Sequence, residues 1–176
     1  MKKLRDGRKY IIRDASVKDA EQMIAYLDKI ATESDNLTFG PGEIDIKLED
    51  EIKIIESAFS STKELFIVAE VDGLIIANLT FRAGKRPRLE HTGEFGISVL
   101  KEFWGNGIGK ALLHSLIEWA QASPVVRKVN LRVREDNEKA IALYEKMGFQ
   151  REGLILRDML IGEEFTNSVC MGLLID

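Results

Sequence analysis

The chain has 176 residues, of which 45% are hydrophobic and 31% are charged. A chain of this length and composition can bury its own core, which predicts one domain over residues 1–176 and excludes disordered, collagen-like and disulfide-rich classes. Its 25 basic and 29 acidic side chains give a net charge of −4, and this mildly acidic total argues against a general nucleic-acid partner.

The cysteine content and the N-terminal residues predict the compartment. The only thiol, Cys170, cannot form an internal disulfide, and His91 and His114 stand too far apart in sequence for a zinc site. The first ten residues are basic but lack the apolar run of a secretion signal, and no apolar stretch is long enough to cross a bilayer as a helix. We therefore expect a cytoplasmic protein with no metal and no membrane partner.

The N-terminal part of the chain predicts one strand followed by two helices. Residues 10–13 form a short β-rich run, and Asp14 or Ser16 would cap an amphipathic helix that ends near residue 30. A polar loop containing glycine and proline follows, and residues 46–59 predict the second helix.

A β-hairpin and a further strand are predicted next. The apolar runs 65–71 and 74–82 are joined by Asp72-Gly73, a pair that favours a type I′ turn. Residues 94–99 alternate between apolar and other side chains, which is typical of a strand with one buried face.

The C-terminal part alternates between helices and strands. From Ile108 onward apolar residues recur every three or four positions, which predicts a helix, and 129–133 alternate as a strand does. Residues 137–147 predict a short helix closed by Gly148, and two more strands are predicted over 149–161 and 165–175. The order of these predicted strands and helices along the chain predicts a mixed α/β (α+β) fold with a largely antiparallel central sheet of about six or seven strands, flanked by helices.

A glycine-rich segment lies between the strand at 94–99 and the helix at 108. It reads Phe103-Trp104-Gly105-Asn106-Gly107-Ile108-Gly109-Lys110. Backbone N–H groups exposed by glycines at the positive end of a helix dipole form an anion site, most naturally for phosphate. The segment matches neither the Walker A loop nor the dinucleotide-binding fingerprint. A tight turn whose glycines only permit close packing is the alternative.

Asn137 and Tyr144 form the second feature. They are seven residues apart, so on a helix they share nearly one face, about 10 Å apart along the axis. By itself, Tyr144 would be interpreted as a packed core aromatic. Together with the glycine segment, the pair indicates a functional site.

With these two motifs the sequence resembles the GNAT family of N-acetyltransferases. The glycine segment is similar to the family's acyl-CoA pyrophosphate loop, and Asn137-x-x-Ala-x-x-Leu-Tyr-x-x-x-Gly-Phe149 is similar to its second conserved motif. The resemblance extends from about Tyr10 to the end of the chain and is strongest from Glu94 to Gly153. It implies the GNAT-like acyl-CoA N-acyltransferase fold, with acetyl-CoA as co-substrate and an amine as acceptor. It leaves the oligomeric state open, with a homodimer as one option.

The resemblance also implies residue roles. The backbone of residues 97–99 would pair with the pantetheine arm, the loop amides would bind the pyrophosphate, and Tyr144 would protonate the departing thiolate while a backbone amide near Val99 polarises the acetyl oxygen. A phenol suits this role because its ordinary pKa near 10 keeps it protonated at pH 7. The residues that the resemblance assigns to acetyl-CoA are Ile97, Ser98, Val99, Gly105, Asn106, Gly107, Ile108, Gly109, Lys110, Asn137 and Tyr144.

The sequence departs from the family at two places. Trp104 stands where Gln or Arg is common, and Arg132 stands where some members have a catalytic glutamate. The general base is therefore open. Glu94 is the first candidate, acting through water, and His91 is the second. A structural carboxylate and a loop histidine are the respective alternatives.

Two charged segments bear on the acceptor. Residues 33–56 contain eight acidic side chains against two lysines, a net −6, which would attract a cationic amine. Solvated helix faces are the simpler interpretation. The loop that contains Arg82, Lys85, Arg86 and Arg88 carries +4 and would instead suit an acidic substrate or RNA.

Three functional hypotheses result. The first is an acetyltransferase acting on a small cationic amine, or alternatively on the N-terminus of a ribosomal or other protein. The second is an acyl-CoA-binding module without catalysis, which the presence of Tyr144 disfavours. The third is a nucleotide-binding domain with other chemistry, which the two failed fingerprints disfavour.

Overall fold

The computed structural model of the protein describes residues 2–176, which contain eight strands and four α-helices. The strands are β1 (Lys2–Lys3), β2 (Lys9–Asp14), β3 (Glu64–Val71), β4 (Leu74–Ala83), β5 (Thr92–Val99), β6 (Lys128–Arg134), β7 (Gln150–Ile161) and β8 (Glu164–Leu174). The helices are α1 (Ala20–Glu33), α2 (Leu48–Phe59), α3 (Ile108–Ala122) and α4 (Glu138–Lys146). The sheet has one strand beyond the predicted six or seven, because β1 is a two-residue strand within the basic N-terminal segment, where no apolar pattern signals it.

All strands belong to one mixed sheet, in the order β1-β2-β3-β4-β5-β6-β8-β7. Every neighbouring pair is antiparallel except β5 and β6, which run parallel. The largely antiparallel mixed sheet that the sequence predicts is therefore confirmed.

The parallel pair is short, and this creates the main irregularity of the sheet. β5 and β6 pair only through Thr92, Gly93 and Glu94, opposite residues 128–130. Beyond Glu94 the two strands have no pairing with each other, although β5 stays bound to β4 and β6 stays bound to β8. The sheet is consequently split between residues 95–99 and 131–134.

The core lies on both faces of the central strands. Five consecutive residues of β3, 65–69, and five of β4, 75–79, are buried, and successive strand residues point to opposite faces. α1 contacts β4, α2 contacts β3, and α3 contacts β3, β4 and β5. α3 contributes the fully buried Leu112, Leu113 and Leu116 to this core.

An ion-pair cluster fixes the start of α1. Neither Asp14 nor Ser16 is the N-cap of α1 itself: Ser16 caps a single 3₁₀ turn, Val17–Asp19, and Asp19 at the end of that turn is the N-cap residue of α1. The Asp19 carboxylate accepts a hydrogen bond from the Ser16 backbone N–H at 2.7 Å and two from the Arg13 guanidinium at 2.7 and 2.8 Å. Arg13 also donates to Glu70 of β3 at 2.6 Å, so the cluster joins β2, β3 and the helix start.

Within residues 2–176, none of the helices combines the length and the hydrophobicity that crossing a membrane requires.

Candidate functional site

A cleft of about 1260 Å³ opens where β5 and β6 separate. One part of its wall is formed by the unpaired ends of the two strands, the glycine loop and α4. The other part is formed by α1, α2 and residues 34–39 of the loop between them. A cleft of this size and position can hold two substrates side by side.

The predicted cofactor residues come together along this cleft. All of them line it except Asn106, and Glu94 lines it too. His91 does not belong to the lining. The residues that line it are Glu94, Ile97, Ser98, Val99, Gly105, Gly107, Ile108, Gly109, Lys110, Asn137 and Tyr144.

The glycine loop turns sharply into α3 through two left-handed residues. Gly105 has φ +77° and Gly107 has φ +75°, conformations that a side chain would strain. α3 begins at the next residue, Ile108, whose side chain is buried in the core. The first N–H groups of α3 therefore point out of the helix at its positive end, beside the cleft, which is the arrangement that binds phosphate oxygens.

Asn106 supports the loop from behind. Its side-chain amide donates to the carbonyl of Phe103 at 3.0 Å, and its Oδ1 accepts the backbone N–H of Arg5 at 2.9 Å. The residue predicted to contact the cofactor thus ties the loop to the N-terminal segment.

Arg5 is a loop neighbour that the sequence analysis missed. Its Nη1 lies 3.4 Å from the point where a Cβ of residue 105 would stand. The guanidinium makes no hydrogen bond or ion pair within residues 2–176, whereas Arg8 in the same turn is paired with Asp6 at 2.7 Å. A free cation therefore lies against the glycine loop, about a hundred residues away in sequence.

Trp104 takes a role of its own at the start of the loop. Its indole Nε1 donates to the carbonyl of Val99 at 2.7 Å, while half of the residue's surface remains exposed. The side chain that replaces the family's usual Gln or Arg thus fixes the loop to the end of β5.

The side chain of Ser98 forms hydrogen bonds with other side chains of the protein. Its hydroxyl donates to Asn78 Oδ1 at 2.7 Å and lies 2.9 Å from the hydroxyl of Tyr26 on α1. Burial raises the pKa of Tyr26 above its ordinary value, so this network remains uncharged. It holds β4, β5 and α1 together beside the cleft and leaves backbone groups of β5 for any cofactor contact.

Tyr144 occupies an aromatic cluster at the cleft. Its ring makes edge contacts with Phe95 and Phe149, at centroid distances of 5.9 and 6.0 Å, and 8% of the residue surface is exposed. Burial raises the pKa of Tyr144 to about 12, so the phenol is protonated at neutral pH. Within residues 2–176 its hydroxyl has no hydrogen-bond partner, and its proton is therefore available to a bound molecule.

Asn137 caps the helix that carries Tyr144. Its Oδ1 accepts the backbone N–H of Ala140 at 3.2 Å, and α4 starts directly after it. One role of this asparagine is therefore to set the start and the orientation of α4.

Glu94 belongs to an ion-pair cluster at the cleft. It accepts a hydrogen bond from Arg132 Nε at 3.1 Å, and Arg132 also reaches Asp158 at 3.3 Å. The Glu94 carboxylate raises the pKa of Arg132. If Glu94 acts as the base, its carboxylate has to take up a proton while it accepts a hydrogen bond from Arg132. His91 is exposed outside the cleft, where its carbonyl accepts from the backbone of residues 127 and 128.

The two charged segments contribute little to the cleft. Of the eight acids in residues 33–56, only Glu51 lines it, and of the four basic residues in the loop only Arg82 does. Arg82 is paired with Glu64 at 3.5 Å. In the described part of the chain, no group of three or more His, Cys, Asp or Glu side chains is arranged to hold a metal ion.

Comparison with known proteins identifies relatives of the whole chain. The model of the Acetyltransferase (GNAT) family matches residues 25–149. The crystal structure of an acetyltransferase of this family from Streptococcus pneumoniae superposes with a TM-score of 0.92 at 33% identity, covering 96% of this chain and 100% of that one. A Salmonella typhimurium structure solved with acetyl-CoA shares the fold, with a TM-score of 0.83 at 16% identity over 96% of this chain and 95% of that one.

Two curated relatives match shorter parts. The L-amino acid N-acetyltransferase of Escherichia coli is 33% identical over 105 residues, which is 60% of this chain and 65% of that protein. The N-alpha-acetyltransferase RimI of Mycobacterium tuberculosis is 41% identical over 73 residues, 42% of this chain and 43% of that protein. The matched part thus spans less than two thirds of either relative.

Proposed function

The chain belongs to the GNAT acetyltransferase family, and on this premise we propose that it transfers the acetyl group of acetyl-CoA to a primary amine by direct attack. One observation carries the proposal: the unpartnered hydroxyl of Tyr144 lies in the same cleft as the glycine loop. One end of that cleft suits an anion, and Tyr144 offers a proton within it.

The cofactor end is formed by the loop and its neighbours. The N–H groups at the start of α3 would bind the pyrophosphate oxygens, and the charges of Arg5 and Lys110 would add to their attraction. Beyond the loop, the split between β5 and β6 leaves backbone groups for the amides of the pantetheine arm. The side chains of Ile97 and Leu143 lie next to Gly109. Because Gly109 has no side chain of its own, the space between it and these two residues stays open.

In the transfer step the amine nitrogen forms a bond to the acetyl carbon and the carbon–sulfur bond breaks. Tyr144 donates its proton to the departing thiolate and regains one from solvent after the transfer, and the excess proton of the neutral attacking amine passes to water or to a base such as Glu94. Direct transfer needs no acyl-enzyme, so Cys170 has no part in it. An enzyme of this type binds both substrates together before the reaction.

We infer that the acceptor is a small cationic amine. The charges along the cleft support this, because Arg82 and Arg132 are paired with carboxylates and the free cations, Lys110 and Lys139, lie on the loop and α4. The E. coli relative, an L-amino acid N-acetyltransferase, supports a small substrate. A protein N-terminus is the second candidate, supported by the N-alpha-acetyltransferase relative.

The test is release of free CoA from acetyl-CoA in the presence of diamines, amino acids, amino acid amides and N-terminal peptides. We expect turnover with small cationic amines that falls sharply in Tyr144→Phe. Turnover with peptides alone would establish the second candidate. Tight acetyl-CoA binding without turnover on any amine would refute transfer and leave a cofactor-binding module.

We also propose the cytoplasm as the compartment. The single cysteine, Cys170, is a free, half-buried thiol, which suits a reducing environment. Fractionation of cells that express the untagged protein tests this, and recovery in a membrane or secreted fraction would contradict it.

A further inference from the structure

Glu51 is a buried acid in a helix, α2, whose other acids face solvent. Only 3% of its surface is exposed, although it lies in the first turn of α2 next to the exposed Glu49 and Asp50. Ile54, Ile55 and Ala58 follow at helical spacing on the same side of α2. The acid thus occupies a position where the helix otherwise carries apolar residues.

The Glu51 carboxylate has no partner inside the described protein. Among residues 2–176 no side chain forms an ion pair with it, and no N–H or O–H group donates to it. Burial raises the pKa of the Glu51 carboxyl above its ordinary value. A carboxylate that has no partner and keeps only slight contact with solvent reduces the stability of the folded state, so the fold alone gives no reason for an acid at this position.

The side chain faces the cleft, and its part of the wall is otherwise apolar. Glu51 lines the cleft together with residues of α1 and α2 that carry no charge. The cations of the cleft are elsewhere, on β4, β6, the glycine loop and α4. The apolar residues of this wall are Met23, Leu27, Ile30, Ile54 and Ala58.

We propose that Glu51 binds a cationic group of the acceptor other than the amine that is acetylated, a primary alkylammonium whose carbon chain lies along the apolar wall of α1 and α2. An ammonium group supplies the partner that the buried carboxylate lacks, and the apolar wall suits the methylene groups next to it. The inference rests on the proposed function and adds the residue that selects its acceptor. It also separates Glu51 from the other acids of residues 33–56, which would act only through their summed field.

A binding role and a structural role predict opposite effects on stability. If Glu51 serves the acceptor, the isosteric change Glu51→Gln removes a buried charge, and the melting temperature stays the same or rises. If Glu51 supports the fold, the same change lowers the melting temperature. The matched control is Glu56→Gln, an exposed acid of the same helix that does not line the cleft.

The experiment measures binding separately from catalysis. 1,4-Diaminobutane is added to the protein in the presence of CoA, and the rise in melting temperature is recorded for the wild type and both variants. We expect a rise in the wild type and in Glu56→Gln, and at least about a tenfold weaker apparent affinity in Glu51→Gln, as for loss of one partner of a desolvated ion pair. In the CoA-release assay, the KM for the diamine should rise by a similar factor in Glu51→Gln and stay unchanged in Glu56→Gln.

Three results of the binding measurement would overturn the assignment: no stabilisation of the wild type by the diamine, equal stabilisation of Glu51→Gln, or equal weakening in Glu56→Gln. Each of these is distinct from failure of the proposed function, which would appear as a wild type that releases no CoA with any amine. A wild type that turns over cationic amines with an unchanged KM in Glu51→Gln refutes only the role of Glu51.

Discussion

Replacement of Tyr144 by phenylalanine removes one oxygen and leaves the aromatic cluster in place. The edge contacts of the ring with Phe95 and Phe149, at 5.9 and 6.0 Å, do not involve the hydroxyl. The hydroxyl also has no hydrogen-bond partner within residues 2–176, so its removal leaves no unpaired polar group behind. We therefore expect the free energy of unfolding to change by less than about 1 kcal/mol.

The effect on turnover should be much larger than the effect on stability. A positioned general acid contributes about 10²- to 10⁴-fold, which corresponds to about 3–5 kcal/mol of the activation barrier. The glycine loop is untouched, so the KM for acetyl-CoA should stay within about twofold of the wild type. A large fall in kcat with an unchanged KM is the expected signature of the lost proton donor.

The pH dependence gives a second readout of the same residue. Because burial raises the pKa of Tyr144 to about 12, only about 1% of the phenol is ionised at pH 10, against half for a phenol with the ordinary pKa near 10. A raised pKa keeps the proton on the oxygen as the pH rises. The kcat of the wild type should therefore show no decline from phenol ionisation up to pH 10.

The assay is steady-state CoA release with the best amine found in the panel, and Tyr10→Phe is the matched control. Tyr10 is also a buried tyrosine whose pKa is raised by burial, but it does not line the cleft. Its replacement should leave kcat unchanged. An unchanged kcat in Tyr144→Phe would refute the role of the phenol as acid, and a kcat that halves near pH 10 would refute the buried, proton-retaining phenol.

The remaining predictions concern the loop, the start of α1 and the split in the sheet. Arg5→Ala should raise the KM for acetyl-CoA about fivefold at low salt, because a free cation beside the pyrophosphate loop is lost, and less at high salt. Asp19→Asn should lower the free energy of unfolding in urea by about 2 kcal/mol at pH 7, because two charged hydrogen bonds from Arg13 are lost. Since hydrogen bonding to Arg13 lowers the pKa of Asp19, this stabilisation is present above the ordinary carboxyl pKa, and the difference from wild type should shrink as the pH falls below about 4. Gly93→Ala should cost more than about 2 kcal/mol of unfolding free energy and reduce acetyl-CoA binding, because the new Cβ would lie 2.7 Å from Ala83 Cα.

Two of these changes have a control variant in the chain. Arg8→Ala removes a cation of the same turn that is paired with Asp6, and acetyl-pantetheine lacks the pyrophosphate, so neither Arg8→Ala with acetyl-CoA nor Arg5→Ala with acetyl-pantetheine should show a raised KM. Gly153→Ala places a Cβ in open space at ordinary φ and should be nearly neutral. An Asp19→Asn variant whose deficit stays constant down to pH 3 would contradict the ionic explanation.

Local signals predicted the elements that carry the site. Asp72 and Gly73 both have positive φ, as a type I′ turn requires, and the pair was sufficient to predict the hairpin of β3 and β4. The helix after the glycine loop begins at Ile108, where the three-and-four spacing of apolar residues begins. Turns and helix starts of this kind are determined by the propensity and periodicity of a few neighbouring residues, so they can be predicted from the sequence.

Features that depend on distant contacts were not predictable. The two lysines of β1 form a strand only because Tyr10 and Lys9 lie beside them. Helical spacing places Glu51 on the same face of α2 as Ile54, Ile55 and Ala58, but its lack of a partner and its place in the cleft wall depend on how α2 packs against the rest of the fold.

The partners of site residues were also beyond the sequence. Glu94 was a candidate base because of its place on a strand, but its pairing with Arg132 depends on β6 lying beside β5. Trp104 was recognised only as a departure from the family, and its hydrogen bond to Val99 defines what it does here.

Because Arg5 contacts Asn106, the order of the first residues of the chain depends on the order of the glycine loop. The backbone N–H of Arg5 is held by a side chain of the loop, and β1, the edge strand beside it, pairs through only two residues. Such an edge opens easily, and its opening releases both Asn106 and the Arg5 guanidinium. By linkage, a ligand that binds only the ordered loop should make this opening less favourable by the same free energy. Hydrogen exchange at the Arg5 amide should therefore slow when acetyl-CoA binds, about a hundred residues away in sequence from the loop that binds it.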